Sequence, residues 1–371
     1  MIWLDSAATT FQKPNSVKAA VSWALEHCAS PGRGGSGPGM EGAKAVFHCR
    51  ELARELFSCR PENVVFTMNA THGLNIAVNT LVPRGGRVVV SGFEHNAVMR
   101  PLYARDAQIT VAGRKLFEPE NTLREFAAAL ENGADCAVCT HVSNVFGYIL
   151  PVEEIGKLCR KRGVPFIVDA SQSAGVLPVS LNAMQADFIA MPGHKSLYGP
   201  QGTGLLLCAR LPKPLISGGT GSLSLERTMP EELPDRAEAG THNVPGICGL
   251  GAGLRFVLQK GTARIFRHEL SLRRLLEARL SGRGFTLFSG QSCTGVLSVG
   301  TGVWDCEEAA AFLAGKGIAV RAGLHCAPLA HESAGTLEGG TLRLSPSAFS
   351  TPEDVESAAF FLASHMGKCR K

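Results

Sequence analysis

Residues 187–195 read DFIAMPGHK, a run in which an apolar strand ends in a turn that presents a single lysine, Lys195. Residues 164–172 read VPFIVDASQ, and a second apolar strand ends there at Asp169. Short apolar runs of this kind are typical of buried strands in a parallel sheet. The two runs therefore predict an α/β fold with reactive groups at the carboxyl ends of its strands.

The same pattern extends in both directions along the chain, since β-rich runs alternate with helical stretches from about residue 60 to residue 210. This alternation favours an α/β domain with a mainly parallel sheet, because parallel strands need crossover connections. Amphipathic segments at 74–81 and 152–162 fit such crossover helices. The predicted strands are Val64–Thr67, Val88–Val90, Ala137–Thr140, Phe166–Val168, Phe188–Met191 and Gly204–Cys208.

The pattern changes after this region. Residues 216–238 are rich in Gly, Ser, Pro and acidic side chains, and they predict a long excursion of the kind that reaches a neighbouring subunit. From about Gly246 the sequence becomes helical, and a second α/β unit follows with strands near 296–299 and 318–321. We place the boundary near residue 255, which gives a large domain of 14–255 and a small domain of 1–13 and 256–371.

Length and composition limit the possible partners. The 371 residues exceed the usual size of one domain, and a net charge of +5 spread along the chain is too weak to indicate nucleic acid. No run approaches the ~18 apolar residues of a membrane span, and the N-terminus lacks the features of a signal peptide. Twelve cysteines without framework spacing fit reduced thiols, so we expect a soluble cytoplasmic protein.

Polar residues follow several predicted strands, where an open α/β sheet binds its ligand. Asp169 could keep a buried pyridine nitrogen protonated, and Gln172 could bond the phenolic oxygen of the same ring. Thr71, in the turn 69–73 before a helix, could hold a phosphate with neighbouring N–H groups. His95 could stack on the ring, and Lys195 could bind its aldehyde as a Schiff base. Each piece alone has an ordinary structural explanation, but their joint order predicts pyridoxal 5'-phosphate.

Two other motifs are better explained by packing. Cys136 and Cys139 form a Cys-x-x-Cys, but they lie inside an apolar run without a second pair, whereas zinc needs four ligands. The glycines Gly249, Gly251 and Gly253 lie in a helical pattern rather than after a strand, so close helix packing explains them better than dinucleotide binding. We therefore expect no metal.

Motifs over nearly the whole chain resemble those of the class V aminotransferase group of fold-type I enzymes that use pyridoxal phosphate. Within that group the chain looks like the cysteine desulfurases and selenocysteine lyases. The segment 321–327, RAGLHCA, is similar to the thiol loop of that group. The other matching segments are LDSAAT at 4–9, EHN at 94–96, THVSN at 140–144, VDASQ at 168–172, GHK at 193–195 and EAGT at 238–241.

The resemblance implies roles for further residues. The substrate would be held by Asn144, Arg321 and Arg343, with Arg343 gripping its carboxylate, and Arg33 would lie near the mouth of the site. Thr220 or Thr241 would reach the phosphate of the partner subunit in a homodimer. The implied cofactor contacts are Ala70, Thr71, His95, Asp169, Gln172, His194 and Lys195.

The resemblance also implies a reaction. Lys195 would remove the Cα proton of L-cysteine, His95 would pass protons, and Cys326 would take the sulfur as a persulfide, leaving L-alanine. A protein acceptor would then receive the sulfur. Cys326 would have to be deprotonated and mobile, and His325 beside it could assist.

Three positions depart from the family pattern, namely Ala70, Pro192 and Leu324. Pro192 replaces a phosphate-binding serine and offers neither a hydroxyl nor an N–H group. Leu324 replaces a histidine of close relatives, which leaves the choice between L-cysteine and L-selenocysteine open. Alternative interpretations are a selenocysteine lyase, a class V aminotransferase or lyase in which Cys326 is incidental, and an inactive scaffold for sulfur-carrier proteins.

Overall fold

The computed structural model describes residues 1–31 and 35–369, with no side-chain detail at 367–369. Arg33 lies outside the described residues. The strands in chain order are β1 (Ile2–Trp3), β2 (Val64–Thr67), β3 (Arg87–Ser91), β4 (Gln108–Ala112), β5 (Cys136–Thr140), β6 (Phe166–Asp169), β7 (Phe188–Pro192), β8 (Gly204–Cys208), β9 (Thr286–Phe288), β10 (Leu297–Gly300), β11 (Ile318–Ala319), β12 (Arg321–Gly323) and β13 (Thr341–Leu344).

Helices connect these strands. In chain order they are α1 (Asn15–His27), α2 (Gly37–Phe57), α3 (Ala70–Leu81), α4 (Asn96–Tyr103), α5 (Pro119–Glu131), α6 (Val152–Arg162), α7 (Leu181–Met184), α8 (Val244–Lys260), α9 (Thr262–Leu280), α10 (Cys306–Ala314), α11 (Pro328–Ala334) and α12 (Pro352–Cys369). The predicted crossover helices at 74–81 and 152–162 correspond to α3 and α6. Acidic residues in the first turn of α6 and basic residues in its last turn complement the helix dipole.

The large sheet has seven strands in the order β2-β8-β7-β6-β5-β3-β4. All of its pairings are parallel except those of β8, which runs antiparallel to β2 and β7. This confirms the predicted α/β class and the mainly parallel sheet. The edge strand β4 was not predicted, because its outer residues alternate between exposed and partly buried and give no apolar run.

Both faces of the large sheet are covered. Within β5, Ala137 and Cys139 pack into the core on one face, whereas Cys136 and Val138 pack into the core on the other. This is why the central strands consist almost entirely of apolar residues. Cys136 and Cys139 are thus core residues, as the sequence predicts.

The C-terminal region forms an antiparallel sheet in the order β12-β13-β10-β9, packed with α9, α10 and α12 around a third core. The N-terminus joins this region, because β1 pairs with β11 and Leu4 lies in the same core. The boundary predicted near residue 255 falls within α8, and the division into two domains stays a prediction. No helix in the described part of the chain is long and apolar enough to cross a membrane.

Helix α8 packs closely on its neighbours through the predicted glycines. A Cβ on Gly253 would lie 2.2 Å from the carbonyl oxygen of Leu197, and one on Gly249 would lie 2.7 Å from Val21 and Pro200. Close packing rather than ligand binding therefore explains these glycines. Leu197 follows Lys195 by two positions, so this contact also supports the loop that carries the lysine.

Candidate active site

A cavity of about 220 Å³ opens at the carboxyl end of the large sheet, where the sequence places its reactive groups. Five elements contribute to it through the residues that follow β2, β3, β5, β6 and β7. Its lining includes Ala70, Thr71, His95, Asn144, Asp169, Gln172, His194 and Lys195. The structure therefore brings together eight residues that the sequence selects from separate motifs.

Lys195 lies in the loop after β7 and lines this cavity. Burial lowers the pKa of its amine to about 8, an effect that the carboxylate of Asp169 opposes and the guanidinium groups of Arg343 and Arg321 reinforce. A lowered pKa leaves a useful fraction of the amine neutral near neutral pH, and only the neutral amine is a nucleophile or a base.

The loop that carries Lys195 is held by the N-terminal segment. The carbonyl oxygen of His194 accepts hydrogen bonds from Thr9 Oγ1 at 3.2 Å, Thr10 Oγ1 at 3.0 Å and Lys13 Nζ at 2.9 Å. His194 Nδ1 lies 3.1 Å from Thr9 Oγ1, and burial lowers the pKa of its imidazole to about 4. Lys13 and His194 are 181 positions apart, so no local sequence signal reveals this clamp.

Asp169 and Gln172 follow β6, and both side chains are buried. Asp169 Oδ1 accepts a hydrogen bond from the N–H of Ser171 at 2.9 Å, which fixes the orientation of the carboxylate. Gln172 Nε2 donates to the carbonyl oxygen of Ala7 at 2.9 Å, so the N-terminal segment also positions this amide. These contacts leave a preformed acidic group facing the lysine.

His95 precedes the first turn of α4, and its Nδ1 accepts a hydrogen bond from the N–H of Ala97 at 2.9 Å. This bond assigns the proton of the neutral ring to Nε2. Burial, followed by the positive charge of Lys195, lowers the pKa of the imidazole to about 4. His95 is therefore neutral at physiological pH and presents an Nε2–H group.

The turn before α3 offers free backbone donors. Asn69 caps this helix by accepting the N–H of His72 at 2.9 Å, which leaves the N–H groups of Ala70 and Thr71 without an intrahelical acceptor. Such N–H groups at the positive end of a helix bind phosphates. The cavity thus contains an amine, a buried carboxylate, an imidazole that can stack on a ring, and a helix N-terminus. This set of groups fits pyridoxal 5'-phosphate.

Arg343 on β13 of the C-terminal sheet is only 2% exposed, and its charge acts on the amine of Lys195. It donates to Asp5 Oδ1 at 2.7 Å and to the carbonyl oxygen of Asn144 at 2.9 Å, while its Nε has no partner among the described residues. Asn144 in turn donates to the carbonyl oxygen of His325 at 2.8 Å. The pairing of Arg343 with Asp5 is a contact for which the sequence alone offers no signal.

Cys326 is exposed and lies in a short turn between β12 and α11. The turn is closed by a hydrogen bond from the N–H of Ala327 to the carbonyl oxygen of Leu324 at 2.9 Å, and the N–H of Asn96 donates to the carbonyl oxygen of Cys326 at 2.8 Å. His325 and Cys326 both have positive φ, at 50° and 57°. Cys326 therefore lies in a short turn with two backbone hydrogen bonds, and its expected mobility remains a prediction.

The imidazole of His325 is hydrogen-bonded to Thr341 and not to the thiol beside it. It is buried, and its Nε2 lies 3.1 Å from the carbonyl oxygen of Thr341. Burial lowers the pKa of this ring to about 2. The suggested assistance from His325 in deprotonating Cys326 therefore has no support in the arrangement of the two side chains.

Cys326 lines a second cavity of about 380 Å³, which shares Thr71, His95 and Ala97 with the cavity of Lys195. The imidazole of His95 therefore borders both the cavity of the lysine and the cavity of the thiol. Arg321 on β12 is exposed, and its charge lowers the pKa values of both Lys195 and His95. The cavity of the amine and the cavity of the thiol thus adjoin at Thr71, His95 and Ala97.

Thr220 and Thr241 do not reach the lysine cavity within this chain. Thr241 lines a separate cavity of about 220 Å³ with Glu238 and His242, whereas Thr220 lines an open hollow formed by residues between Pro214 and Arg236. Their expected contact with the phosphate of a partner subunit remains a prediction.

Comparison with known proteins gives a consistent result. A model of the aminotransferase class-V family matches residues 2–357. A probable cysteine desulfurase of Methanothermobacter thermautotrophicus is 31% identical over 96% of this chain and 92% of its own length. A cysteine desulfurase of Escherichia coli O157:H7 is 33% identical over 88% of this chain and 84% of its own.

Solved structures agree with these relatives. The apo structure of a cysteine desulfurase from Thermococcus onnurineus NA1 has a TM-score of 0.91 at 29% identity, covering 99% of this chain and 95% of that one. The cysteine desulfurase CsdA from Escherichia coli has a TM-score of 0.85 at 25% identity, covering 99% and 94%. Both likenesses extend over 99% of this chain.

Proposed function

The chain belongs to the class V aminotransferase family, and from that premise we propose that it is a cysteine desulfurase that depends on pyridoxal 5'-phosphate. It would convert L-cysteine to L-alanine and take the sulfur onto Cys326. The observation that carries the proposal is that Lys195 and Cys326 line two adjoining cavities that share His95. An ordinary aminotransferase has no use for an exposed thiol at this place.

The residues that would hold the cofactor are those of the lysine cavity. Lys195 would bind its aldehyde, Asp169 its pyridine nitrogen, Thr71 with the N–H groups of α3 its phosphate, and His95 would cover the ring. When bound, pyridoxal phosphate supplies an aldehyde that condenses with amines and a ring that accepts electrons from the substrate carbon. Gln172 and His194, which are hydrogen-bonded to the N-terminal segment, would also contact the cofactor.

The side chains of this protein have separate tasks with protons. The amine of Lys195, with a pKa lowered to about 8, is poised to remove the Cα proton of the amino acid. His95 is neutral and carries its proton at Nε2, so it can donate to a leaving or developing anion between the two cavities. Arg343 and Asn144 would orient the substrate carboxylate from the opposite wall.

Cys326 would then act as the nucleophile toward sulfur. Its thiolate attacks the substrate sulfur, a new S–S bond forms, and the Cβ–S bond breaks with its electron pair remaining on the carbon side. A proton from the surrounding groups is needed to complete alanine. The product on the enzyme is a persulfide of Cys326, which is why an acceptor is needed for turnover.

The acceptor would approach the exposed thiol of Cys326. The cavity of about 380 Å³ at the thiol offers the approach, with α4 on one side and the exposed side chain of Arg100 at its rim. We expect a thiol-bearing protein segment as the acceptor. Thr220 or Thr241 would complete the phosphate site of a second copy of the chain in a homodimer.

The decisive experiment compares the native enzyme with Cys326→Ala. With L-cysteine, and separately with L-selenocysteine, alanine is measured together with the mass of the peptide that contains Cys326. The native enzyme should give alanine and one added sulfur or selenium atom on that peptide, and the variant should lose alanine formation from L-cysteine by at least about 100-fold.

The matched control is Cys59→Ser, which removes another partly exposed thiol, and it should leave both readouts unchanged. Full-rate sulfur release by Cys326→Ala would refute the desulfurase assignment. It would leave a class V lyase in which the thiol is incidental.

A further inference from the structure

The carboxyl group of Glu94 is buried beside the active site without any role in the reaction described above. Its side chain is 0% exposed and lies at the carboxyl end of β3. Oε1 accepts hydrogen bonds from Ser91 Oγ on β3 and from the N–H of Thr140 on β5 at 2.8 Å. One carboxyl oxygen thus joins two neighbouring strands at the edge where the cofactor residues are gathered.

The other oxygen of Glu94 is in an unusual position. Oε2 is buried and has no hydrogen-bond partner among the residues that the structure describes. An ionised carboxylate buried with one oxygen unpaired has a high free energy, whereas the neutral acid has a much lower desolvation cost. Burial raises the pKa of Glu94 to about 8, the Ser91 and Thr140 hydrogen bonds oppose that rise, and the charge of Asp169 adds to it.

The position of Glu94 gives this neutral group a consequence for catalysis. The next residue is His95, which lines both the cavity of Lys195 and the cavity of Cys326. The N–H of the following residue, Asn96, holds the carbonyl oxygen of Cys326. A displacement of Glu94 would therefore move both the imidazole and the thiol turn relative to Thr140 and Asp169.

We propose that Glu94 is a positioning residue for His95, acting as an uncharged brace between Ser91 on β3 and Thr140 on β5. The brace works in the neutral form because Oε2 has no donor to stabilise a charge. Ionisation would place a second negative charge near Asp169 on β6 and Cys139 on β5, the titratable groups that interact with Glu94. The inference rests on the proposed function only for its effect on rate.

The first test uses cofactor-free protein, so it does not depend on the proposed activity. Because the native carboxyl keeps its proton while the unfolded one loses it above pH 4.5, unfolding releases a proton between about pH 4.5 and 8. The stability contributed by Glu94 therefore falls as the pH rises through that window. Glu94→Gln should remove this dependence, and thermal unfolding across the window should show the difference widening with pH.

Infrared spectroscopy supplies a direct readout of the same proton. The carbonyl band of a protonated carboxyl group should be present at pH 6.5 and should weaken in Glu94→Gln. Glu269 is the matched control, since burial also raises its pKa to about 8 at a place outside both cavities. Glu269→Gln should weaken the same band without touching the active site.

Activity separates a brace from a merely structural residue. Glu94→Gln keeps a carbonyl oxygen that accepts the hydrogen bonds from Ser91 and Thr140, so its kcat at pH 7 should stay within about twofold of the native value. The native kcat should decline near pH 8 as Glu94 ionises, and the kcat of Glu94→Gln should not show this decline. Glu94→Ala should lower kcat by about 100-fold with KM nearly unchanged, because it misplaces His95. Glu269→Gln should leave the pH profile of kcat as it is.

Three results would overturn the inference: native kcat in Glu94→Ala, a loss in Glu94→Gln as large as in Glu94→Ala, or an unchanged infrared band and stability profile in Glu94→Gln. Failure of the proposed function would look different. The native enzyme would then form no alanine from L-cysteine, while the infrared and unfolding results would still decide the protonation of Glu94.

Discussion

The lysine cavity and the thiol turn use burial in opposite ways. Lys195 is a cation when protonated, so burial disfavours its proton and lowers the pKa of the amine to about 8. A thiol is neutral when protonated, so burial would favour the proton and suppress the thiolate. The amine lines the inner cavity, where burial favours its reactive neutral form, whereas Cys326 is exposed.

The other cysteines of the chain show what burial would do to the thiol. Burial raises the pKa of Cys159 to about 12, and it raises those of Cys136 and Cys139 in β5 well above the usual value. These thiols fill the core of the large sheet and are chemically inert there. Exposure therefore distinguishes Cys326 from the buried cysteines, and the comparison predicts how each region responds to substitution.

The largest effect is expected at Lys195. Lys195→Ala should lower alanine formation by at least about 1,000-fold, because no other lysine among the described residues lines the cavity to bind the aldehyde or remove the proton. Lys195→Arg should be equally inactive, since a guanidinium stays protonated and cannot act as the nucleophile. Absorbance of protein-bound cofactor and alanine formation are the measurements. An active Lys195→Arg would break the argument that the neutral amine is essential.

A smaller effect is expected for the reactivity of the thiols in the native protein. With limiting iodoacetamide, the peptide of Cys326 should be alkylated at least about 100-fold faster than the peptides of Cys136 and Cys139. Mass spectrometry of the digested protein gives the rates, and unfolding in denaturant should bring the three rates together. Equal rates in the folded protein would contradict the contrast between exposed and buried thiols.

The sequence predicts the large sheet well, because its central strands are continuous apolar runs whose chemistry lies at their ends. Lys195, Asp169 and His95 could be found in this way, since each follows a strand in a local pattern. The hydrogen bond to the backbone of Cys326 could not be found in this way, because its donor is Asn96, 230 positions earlier in the chain. Long-range polar contacts of this kind produce no periodic pattern in the sequence.

The same limit explains the residues that hold Lys195 and Arg343. The segment 4–10 matches a family motif, but the motif does not say that Thr10 bonds the carbonyl oxygen of His194 or that Asp5 pairs with Arg343. An apolar run in the sequence indicates that a strand is buried within the sheet, whereas a hydrogen bond between distant segments depends on the complete fold. The supports of the site were therefore visible only in three dimensions.

The smallest effect is expected for a substitution in the N-terminal segment that holds the lysine loop. Lys13→Met removes one of the donors to the carbonyl oxygen of His194, while Thr9 and Thr10 keep theirs. We expect a loss of about 1 kcal/mol in the free energy of unfolding and a decline of a few-fold in kcat. The reactive lysine would then be held less firmly, although its own side chain is unchanged.

Lys44→Met is the matched control, because Lys44 is an exposed lysine of α2 that pairs with Glu41. It should change the free energy of unfolding and kcat much less, since exposed ion pairs contribute little. Denaturant unfolding and the rate of alanine formation are compared for both variants. If the two lysines behave alike, the N-terminal segment does not support Lys195, and the inner cavity keeps its geometry through the sheet and α8 alone.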